Sequence, residues 1–246
     1  MIDQLEDQGH ALWPSRLNER ERAELAALFA DWPAGRPGQR IDPARAGALS
    51  GVRRLIADRA SAMRPVRALL FDKTDDANWA LAWHQDRTVE VAERREVDGF
   101  GPWTVKQGRV HVAPPVSLLE RMMTVRFHLD PVDADNAPLL VAPGSHRLGL
   151  IPEASINDVV ERCGEAMDLA EAGSVWLYRT LILHGSARSR PGRHRRVLQI
   201  DLSADDLPGG LRWASDAETA ETAETAETAE TAETADATER PERAGA

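Results

Sequence analysis

Residues 84–86 read His-Gln-Asp and close the stretch that runs from Phe71 to Asp86. In an extended chain, residues i and i+2 point to the same side, so the His84 imidazole and the Asp86 carboxylate can converge on one ion. With one later histidine they would form a facial triad, which leaves the opposite face of an octahedral divalent iron open. The step occurs a second time, at His128-Leu129-Asp130, where Pro131 restricts Asp130 to extended geometry and suggests a strand end and turn. Spacing alone leaves both copies open, and the third ligand could be any of the remaining histidines.

His184 ends the apolar run Ser174–Leu183, which the pattern predicts as one buried strand, and is followed by Gly185-Ser186. A turn at Pro191-Gly192 then predicts a returning antiparallel strand that brings Arg195 back beside His184. An arginine there can hold a carboxylate through two parallel charge-assisted hydrogen bonds, and Ser186 can add a third. A metal with open positions beside such a clamp suits a chelating 2-oxo diacid. The other candidates have plainer roles. His111 reads as packed, His146 as part of the Pro143-Gly144-Ser145 turn, and His10 and His194 as surface residues. Arg126 faces the same side of its strand as His128 and needs an acid partner, either Asp130 or a substrate carboxylate. Trp79, Trp83 and Trp103 could line a cleft or fill core.

These residues must be positioned by elements the pattern also supplies. Residues 1–65 read as helical. Asn18 can cap a helix carrying Leu25, Leu28, Phe29 and Trp32 on one face, stopped by Pro33 and Gly35. Ser50 begins a second helix with Val52, Leu55, Ile56 and Met63, ended by Pro65. From Val66 the pattern predicts strands at 66–72, 79–84, 109–113, 124–129, 138–142, 174–178, 181–186 and 195–202, with short helices at 115–123 and 155–163. The stretch 87–108 reads as a long loop, of the kind that is usually functional or disordered. The expected fold is mainly β, a double-stranded β-helix of the jelly-roll or cupin-like kind, with the N-terminal helices packed outside.

The chain has 246 residues and a net charge of −10. From Ala214 it becomes a Glu-Thr-Ala repeat holding ten acids and two arginines, so only −2 belongs to residues 1–213. A three-residue period drifts around a helix and offers nothing larger than alanine to bury, so residues 214–246 are expected to be disordered. The expected domain is therefore 1–213, with helices at 1–65 and the jelly-roll core at 66–213. Its near-neutral charge gives no electrostatic case for nucleic acid. Cys163 is the single cysteine, which excludes an intramolecular disulfide and a cysteine-based zinc site. The N-terminal residues show no signal-peptide pattern and no apolar run reaches a membrane span, so a soluble cytoplasmic protein acting on a small molecule is expected.

Trp83-His84-Gln85-Asp86, Pro143-Gly144-Ser145-His146 after an apolar strand, and His184-Gly185-Ser186 followed eleven residues later by Arg195 together resemble the phytanoyl-CoA dioxygenase family of Fe(II)/2-oxoglutarate oxygenases. The resemblance spans about residues 66–202. It implies that His84, Asp86 and His184 bind Fe(II), that Arg195 holds the distal carboxylate of 2-oxoglutarate, and that O₂ is the second cosubstrate. The implied reaction is C–H hydroxylation with release of succinate and CO₂. It also favours His84/Asp86 over His128/Asp130. Where the family often has asparagine between the distal histidine and the arginine, this chain has Arg188-Ser189-Arg190. Some relatives use an upstream lysine on the cosubstrate, here Lys73. A hairpin through Thr74–Asn78 would set Lys73 opposite Trp79, roughly 16 Å of strand from His84. Asp86 itself speaks against a halogenase, since halogenating relatives carry a small residue there. The competing expectations are a non-catalytic jelly-roll binding module with a vestigial metal site, and a cupin-type metalloenzyme that uses no oxoglutarate. The near-neutral folded part disfavours a CoA thioester substrate.

Overall fold

The structure, a computed structural model, describes residues 2–106 and 108–216. The expected disorder of the acidic repeat falls mainly on residues outside this range. The N-terminal part contains α1 (Ile2–Gln8), β1 (His10–Leu12), α2 (Glu19–Ala27), β2 (Gly38–Ile41), α3 (Pro43–Gly47) and α4 (Ser50–Arg59). Next come β3 (Arg64–Lys73), β4 (Leu81–His84), β5 (Val89–Val91), β6 (Trp103–Lys106) and β7 (Arg109–Val112). After α5 (Val116–Arg121) the chain forms β8 (Met123–His128), β9 (Leu139–Val141), α6 (Ile156–Cys163) and β10 (Ala166–Asp168). It ends with β11 (Val175–Arg179), β12 (His184–Ser186) and β13 (Arg195–Ser203).

A six-stranded sheet runs β1-β11-β8-β13-β3-β2 and faces a four-stranded sheet ordered β10-β9-β12-β4, with a third sheet β5-β7-β6 beside them. All strand pairings among the described residues are antiparallel, as a jelly roll requires. Alternation divides the large sheet cleanly. Ala68, Leu70, Val125, Phe127, Leu198, Ile200 and Leu202 share one cluster with Leu25 and Phe29 of the α2 region and with Val52 and Leu55 of α4. The opposite face of the same strands carries Arg67, Leu69, Phe71, Lys73, Thr124, Arg126, His128, Arg195, Val197, Gln199 and Asp201. So many polar groups on one sheet face make sense only around a cavity.

Asn18 caps α2 as its sequence suggests. Its side chain accepts from the Glu21 amide at 2.9 Å and the Glu21 carboxylate accepts from the Asn18 amide at 2.9 Å. Four expectations need correction. Residues 1–65 are not wholly helical, because β1 and β2 add edge strands to the large sheet. Both are short, and β2 lies in a Pro/Gly-rich link, so neither shows a long alternating pattern. The stretch 87–108 is not a plain loop; it holds β5 and β6, which pair with β7. The run 174–184 is not the single buried strand its apolarity implies; the break falls between the separately expected strands 174–178 and 181–186. The chain turns at Thr180-Leu181, so that β11 belongs to the large sheet and β12 to the small one. Uniform hydrophobicity conceals the break because both halves are buried, on different sheets. Met63 lies beyond the end of α4. No helix among the described residues is long and apolar enough to cross a membrane.

Candidate active site

β12 and β4 lie side by side with His184 directly opposite His84. Their imidazole centroids are 4.3 Å apart. Each ring is oriented by the carbonyl two residues earlier: His84 Nδ1 lies 2.8 Å from Ala82 O, and His184 Nδ1 lies 3.0 Å from Ile182 O. A proton on Nδ1 is the arrangement these bonds select, and it leaves each Nε2 lone pair free for a metal. Burial, opposed by Asp86 and reinforced by His84, lowers the His184 pKa to about 4, so the ring is neutral at pH 7. Asp86 lines the same cavity. Burial works against its ionisation, but Arg67, His184 and His84 outweigh that and lower its pKa.

The side chains are not closed into a finished ligand set: no group of three His, Cys, Asp or Glu among the described residues meets metal-site geometry. Asp86 directs its Oδ2 to Arg67 Nη2 at 3.3 Å instead. Two imidazoles with free Nε2 atoms and an ionised carboxylate on one cavity wall nevertheless match the donors that a 2-His-1-carboxylate metal demands. Gln85, between His84 and Asp86, points the other way and staples the surrounding loops. Its amide donates to Gly149 O at 2.9 Å and Leu181 O at 2.8 Å and accepts from the Ile151 amide at 2.9 Å.

Arg67 was not singled out by sequence, and an alternating strand position offers no signal for it. Its Nε donates to Asp201 at 2.5 Å, and Asp201 accepts from Thr124 Oγ1 at 3.0 Å. The chain Thr124–Asp201–Arg67–Asp86 supports the carboxylate from behind. Supporting partners of this kind carry roughly 10- to 100-fold in metal affinity. Arg67→Lys, which keeps the charge and loses the two-way fork, should therefore weaken Co(II) binding by that factor in a titration of the visible bands. Unchanged affinity would remove Arg67 from the support of Asp86.

Arg195 is buried, opposite Lys73 in register. Its Nη1 donates to Ala137 O, its Nε has no partner, and it makes no ion pair among the described residues. Burial and the nearby Arg126 lower its pKa to about 9, so it remains a cation at neutral pH. Ala137 has φ +48°, a left-handed conformation that costs a non-glycine residue about 1–2 kcal/mol. Its carbonyl also accepts from Ser186 Oγ at 3.1 Å, so the strained residue joins Ser186 to Arg195. Lys73 is wholly buried. Its Nζ donates to Trp79 O at 2.7 Å and Ala187 O at 2.9 Å and lies 3.5 Å from Ser186 Oγ. The hairpin does set Lys73 against Trp79, whose ring its Nζ covers at 4.7 Å. Counting along the strand missed that sheet closure brings Lys73 to Arg195 and Ser186. Asn78 exchanges two hydrogen bonds with the Ser189 backbone, at 2.8 and 2.9 Å, so an amide from the facing loop pins the segment 188–190.

The second His-x-Asp step is disassembled. Asp130 accepts from the Arg196 amide, Nε and Nη2 at 2.8, 2.9 and 2.7 Å, while His128 sits buried with neither ring nitrogen partnered. Burial, Arg126 and Arg195 hold His128 well below its usual pKa. His10 is a correction: it is buried, 2.9 Å from Asp168 and stacked on Trp176. His194 is exposed and bonds Asp72 at 2.7 Å. His146 is packed against the N-terminal segment, with Nε2 3.0 Å from Glu6 O, and His111 is fully buried near Glu90. Of the three tryptophans, Trp79 lines the cavity. Trp83 packs with the apolar cluster around α6 and Trp103 with that around Trp213.

The cavity holds about 190 Å³ and is walled by Arg67, Leu69, Phe71, Trp79, Leu81, Leu139, Arg126 and Gln199 together with the residues above. A second hollow of about 260 Å³, bordered by Pro37–Arg40, shares Leu69, Phe71 and Trp79 with it.

A family model described as phytanoyl-CoA dioxygenase (PhyH) matches residues 7–197. No curated protein matches the chain. Among solved structures, EctD from S. alaskensis with 2-oxoglutarate and 5-hydroxyectoine superposes with TM-score 0.57 at 18% identity, over 82% of this chain and 74% of that one. SnoN, the non-heme alpha-ketoglutarate-dependent epimerase from nogalamycin biosynthesis, gives 0.53 at 16% identity over 85% and 88%. HygX from Streptomyces hygroscopicus with iron bound gives 0.53 at 14% identity over 82% and 84%. At these identities the likeness is one of fold.

Proposed function

Because the chain belongs to the phytanoyl-CoA dioxygenase family, we propose that it hydroxylates a C–H bond of a small molecule, with Fe(II), 2-oxoglutarate and O₂. The balanced reaction consumes substrate, 2-oxoglutarate and O₂ and yields hydroxylated substrate, succinate and CO₂. The observation that carries this reading is the pair His84–His184, oriented through Nδ1, sharing one cavity with Asp86 and a buried arginine that has no acid partner. His84, Asp86 and His184 would hold the iron. Arg195, Lys73 and Ser186 would hold the distal carboxylate of 2-oxoglutarate. Iron supplies the O₂ and electron-transfer chemistry when bound. The protein orients both carboxylates of the cosubstrate and keeps bulk water from the reacting centre with the walls built by Leu69, Phe71 and Leu139.

Anaerobic addition of Fe(II) and then 2-oxoglutarate tests the reading. A weak visible charge-transfer band should develop, and admitting O₂ should release succinate and CO₂ in equal amounts. A protein that binds neither metal nor cosubstrate would be a vestigial module, and the reading would fail.

Lys73 adds a pH signature. Burial, followed by Arg195, Arg126 and Arg188, lowers its pKa to about 7, so at pH 8 it is mostly neutral. A carboxylate arriving beside it favours the charged form and raises that pKa. Binding of 2-oxoglutarate at pH 8 should therefore take up a proton, and at pH 6, where Lys73 is already charged, uptake should fade. Calorimetry in buffers of different ionisation enthalpy measures the uptake, and Lys73→Met should abolish it. Equal uptake in that variant would place the proton elsewhere.

A further inference from the structure

We propose that Arg126 is a second carboxylate anchor in the cavity, separate from Arg195, and that the substrate is a small carboxylic acid with an apolar body. The inference rests on the oxygenase reading and extends it to the substrate class.

Arg126 projects from the inner face of β8, in register with Gln199. The residue is 5% exposed, its Nε has no hydrogen-bond partner, and it makes no ion pair among the described residues. Its nearest aromatic contact is the Phe71 ring, 5.7 Å from Cζ. A buried guanidinium without a counter-charge is costly and persists where a ligand supplies the anion.

The acids that could have served are committed elsewhere. Asp130, four residues on, is taken by Arg196 through three hydrogen bonds. Asp168 is held by His10 at 2.9 Å. Asp201 is bound by Arg67 and Thr124, and Asp86 belongs to Arg67 and the metal position. No carboxylate hydrogen-bonds or ion-pairs with Arg126 among the described residues, although Asp168, whose Oδ2 has no partner, and Asp86 lie near enough to favour its charge.

The charge of the loaded site points the same way. Divalent iron with Asp86 leaves one positive charge, and Arg195 and Arg126 add two. The cosubstrate dianion removes two, so one positive charge remains even with Lys73 neutral. The proton that Lys73 takes up with the cosubstrate adds to that excess, and a further carboxylate reduces it. Along the backbone Arg126 is offset from the cosubstrate clamp: its register partner Gln199 lies four residues along β13 from Arg195, about 13 Å at 3.3 Å per residue, although the Arg126 charge still acts on Arg195. Beside it the wall is apolar, with Leu69, Phe71 and Leu139, which suits a hydrocarbon body and leaves the acid group to Arg126.

The test uses the full chain loaded with Ni(II) and 2-oxoglutarate, so that no turnover occurs. Hexanoate and phenylacetate are titrated in parallel with hexanamide and phenylacetamide and followed by ligand-observed NMR. The acids should bind at least ten-fold tighter than their amides. Arg126→Gln should erase that preference while the 2-oxoglutarate Kd stays within about two-fold, and Arg126→Lys should keep part of it. Arg126→Met should melt at the same temperature as the parent or higher, because it removes an uncompensated buried charge; a purely structural arginine would lower the melting point. Amides binding as well as acids in the parent protein, or no acid binding at all, overturns the proposal without any variant. A ten-fold loss of 2-oxoglutarate affinity in Arg126→Gln also overturns it, because Arg126 would then serve the cosubstrate. Failure of the parent protein to take up Ni(II) and 2-oxoglutarate is a different result, and removes the oxygenase reading itself.

Discussion

Replacing His184 by alanine should abolish the visible band that Fe(II) and 2-oxoglutarate develop together in anaerobic solution, whereas His128→Ala should leave it intact. The two histidines have similar sequence credentials, since each lies near the end of an apolar strand. Their surroundings differ. His184 faces His84 across a strand pair, 4.3 Å between ring centroids, with Nδ1 engaged and Nε2 free. Removing it leaves one imidazole and one carboxylate, a pair that does not retain a divalent metal against water at micromolar concentration. His128 has two unpartnered nitrogens, but its companion Asp130 is locked to Arg196. His128→Ala leaves a hole in a packed wall, so it should cost stability, about 2–4 kcal/mol by analogy with other large-to-small core changes, without touching the metal. A band that survives in His184→Ala and vanishes in His128→Ala would move the site to the second step.

Arg195→Ala should raise the apparent 2-oxoglutarate KM by at least an order of magnitude while metal binding persists. Truncating one partner of a buried, hydrogen-bonded charge pair costs roughly 2–5 kcal/mol, which corresponds to about 30- to 5,000-fold in affinity. Arg195→Lys should recover part of the loss, because an ammonium keeps the charge and loses the planar fork. The neighbours serve as controls of different kinds. Arg193 reaches Asp133 at the surface, and Arg193→Ala should change neither binding nor stability appreciably. Arg196 is less innocent than its place in the sequence suggests: its fork holds Asp130 at 2.7 and 2.9 Å, so Arg196→Ala should lower the melting temperature and leave the KM alone. Unaltered dependence on 2-oxoglutarate in Arg195→Ala would sink both the residue assignment and most of the case for this cosubstrate.

The sequence by itself determined what depends on neighbours along the chain. Two-residue alternation put His84 and Asp86 on one side, and the Asn18 cap and the eight main strand positions followed from local pattern. The turn at Pro191-Gly192 was legible, but the antiparallel pairing expected across it does not form: β13 pairs with β3 and β8 in the large sheet, and Arg195 reaches the cavity of His184 from there. Tertiary structure decided everything that depends on which strands close on one another. The run 174–184 divides between two sheets, and β2, β5 and β6 exist because a neighbouring edge completes their hydrogen bonds. Arg67 finds Asp201 across 134 residues and Asp86 across 19, a support no local window contains. Lys73 reaches Ser186 and Ala187 only when the large sheet folds over the small one. Arg126 is the clearest case. Its sequence offers Asp130 four residues away, yet on a strand an even spacing fixes only the side to which each points. It says nothing about which charge arrives first, and the register of β13 delivers Arg196 to Asp130. Periodicity is a property of one strand; the pairing of charges is a property of the register between strands, set by closure of the whole barrel.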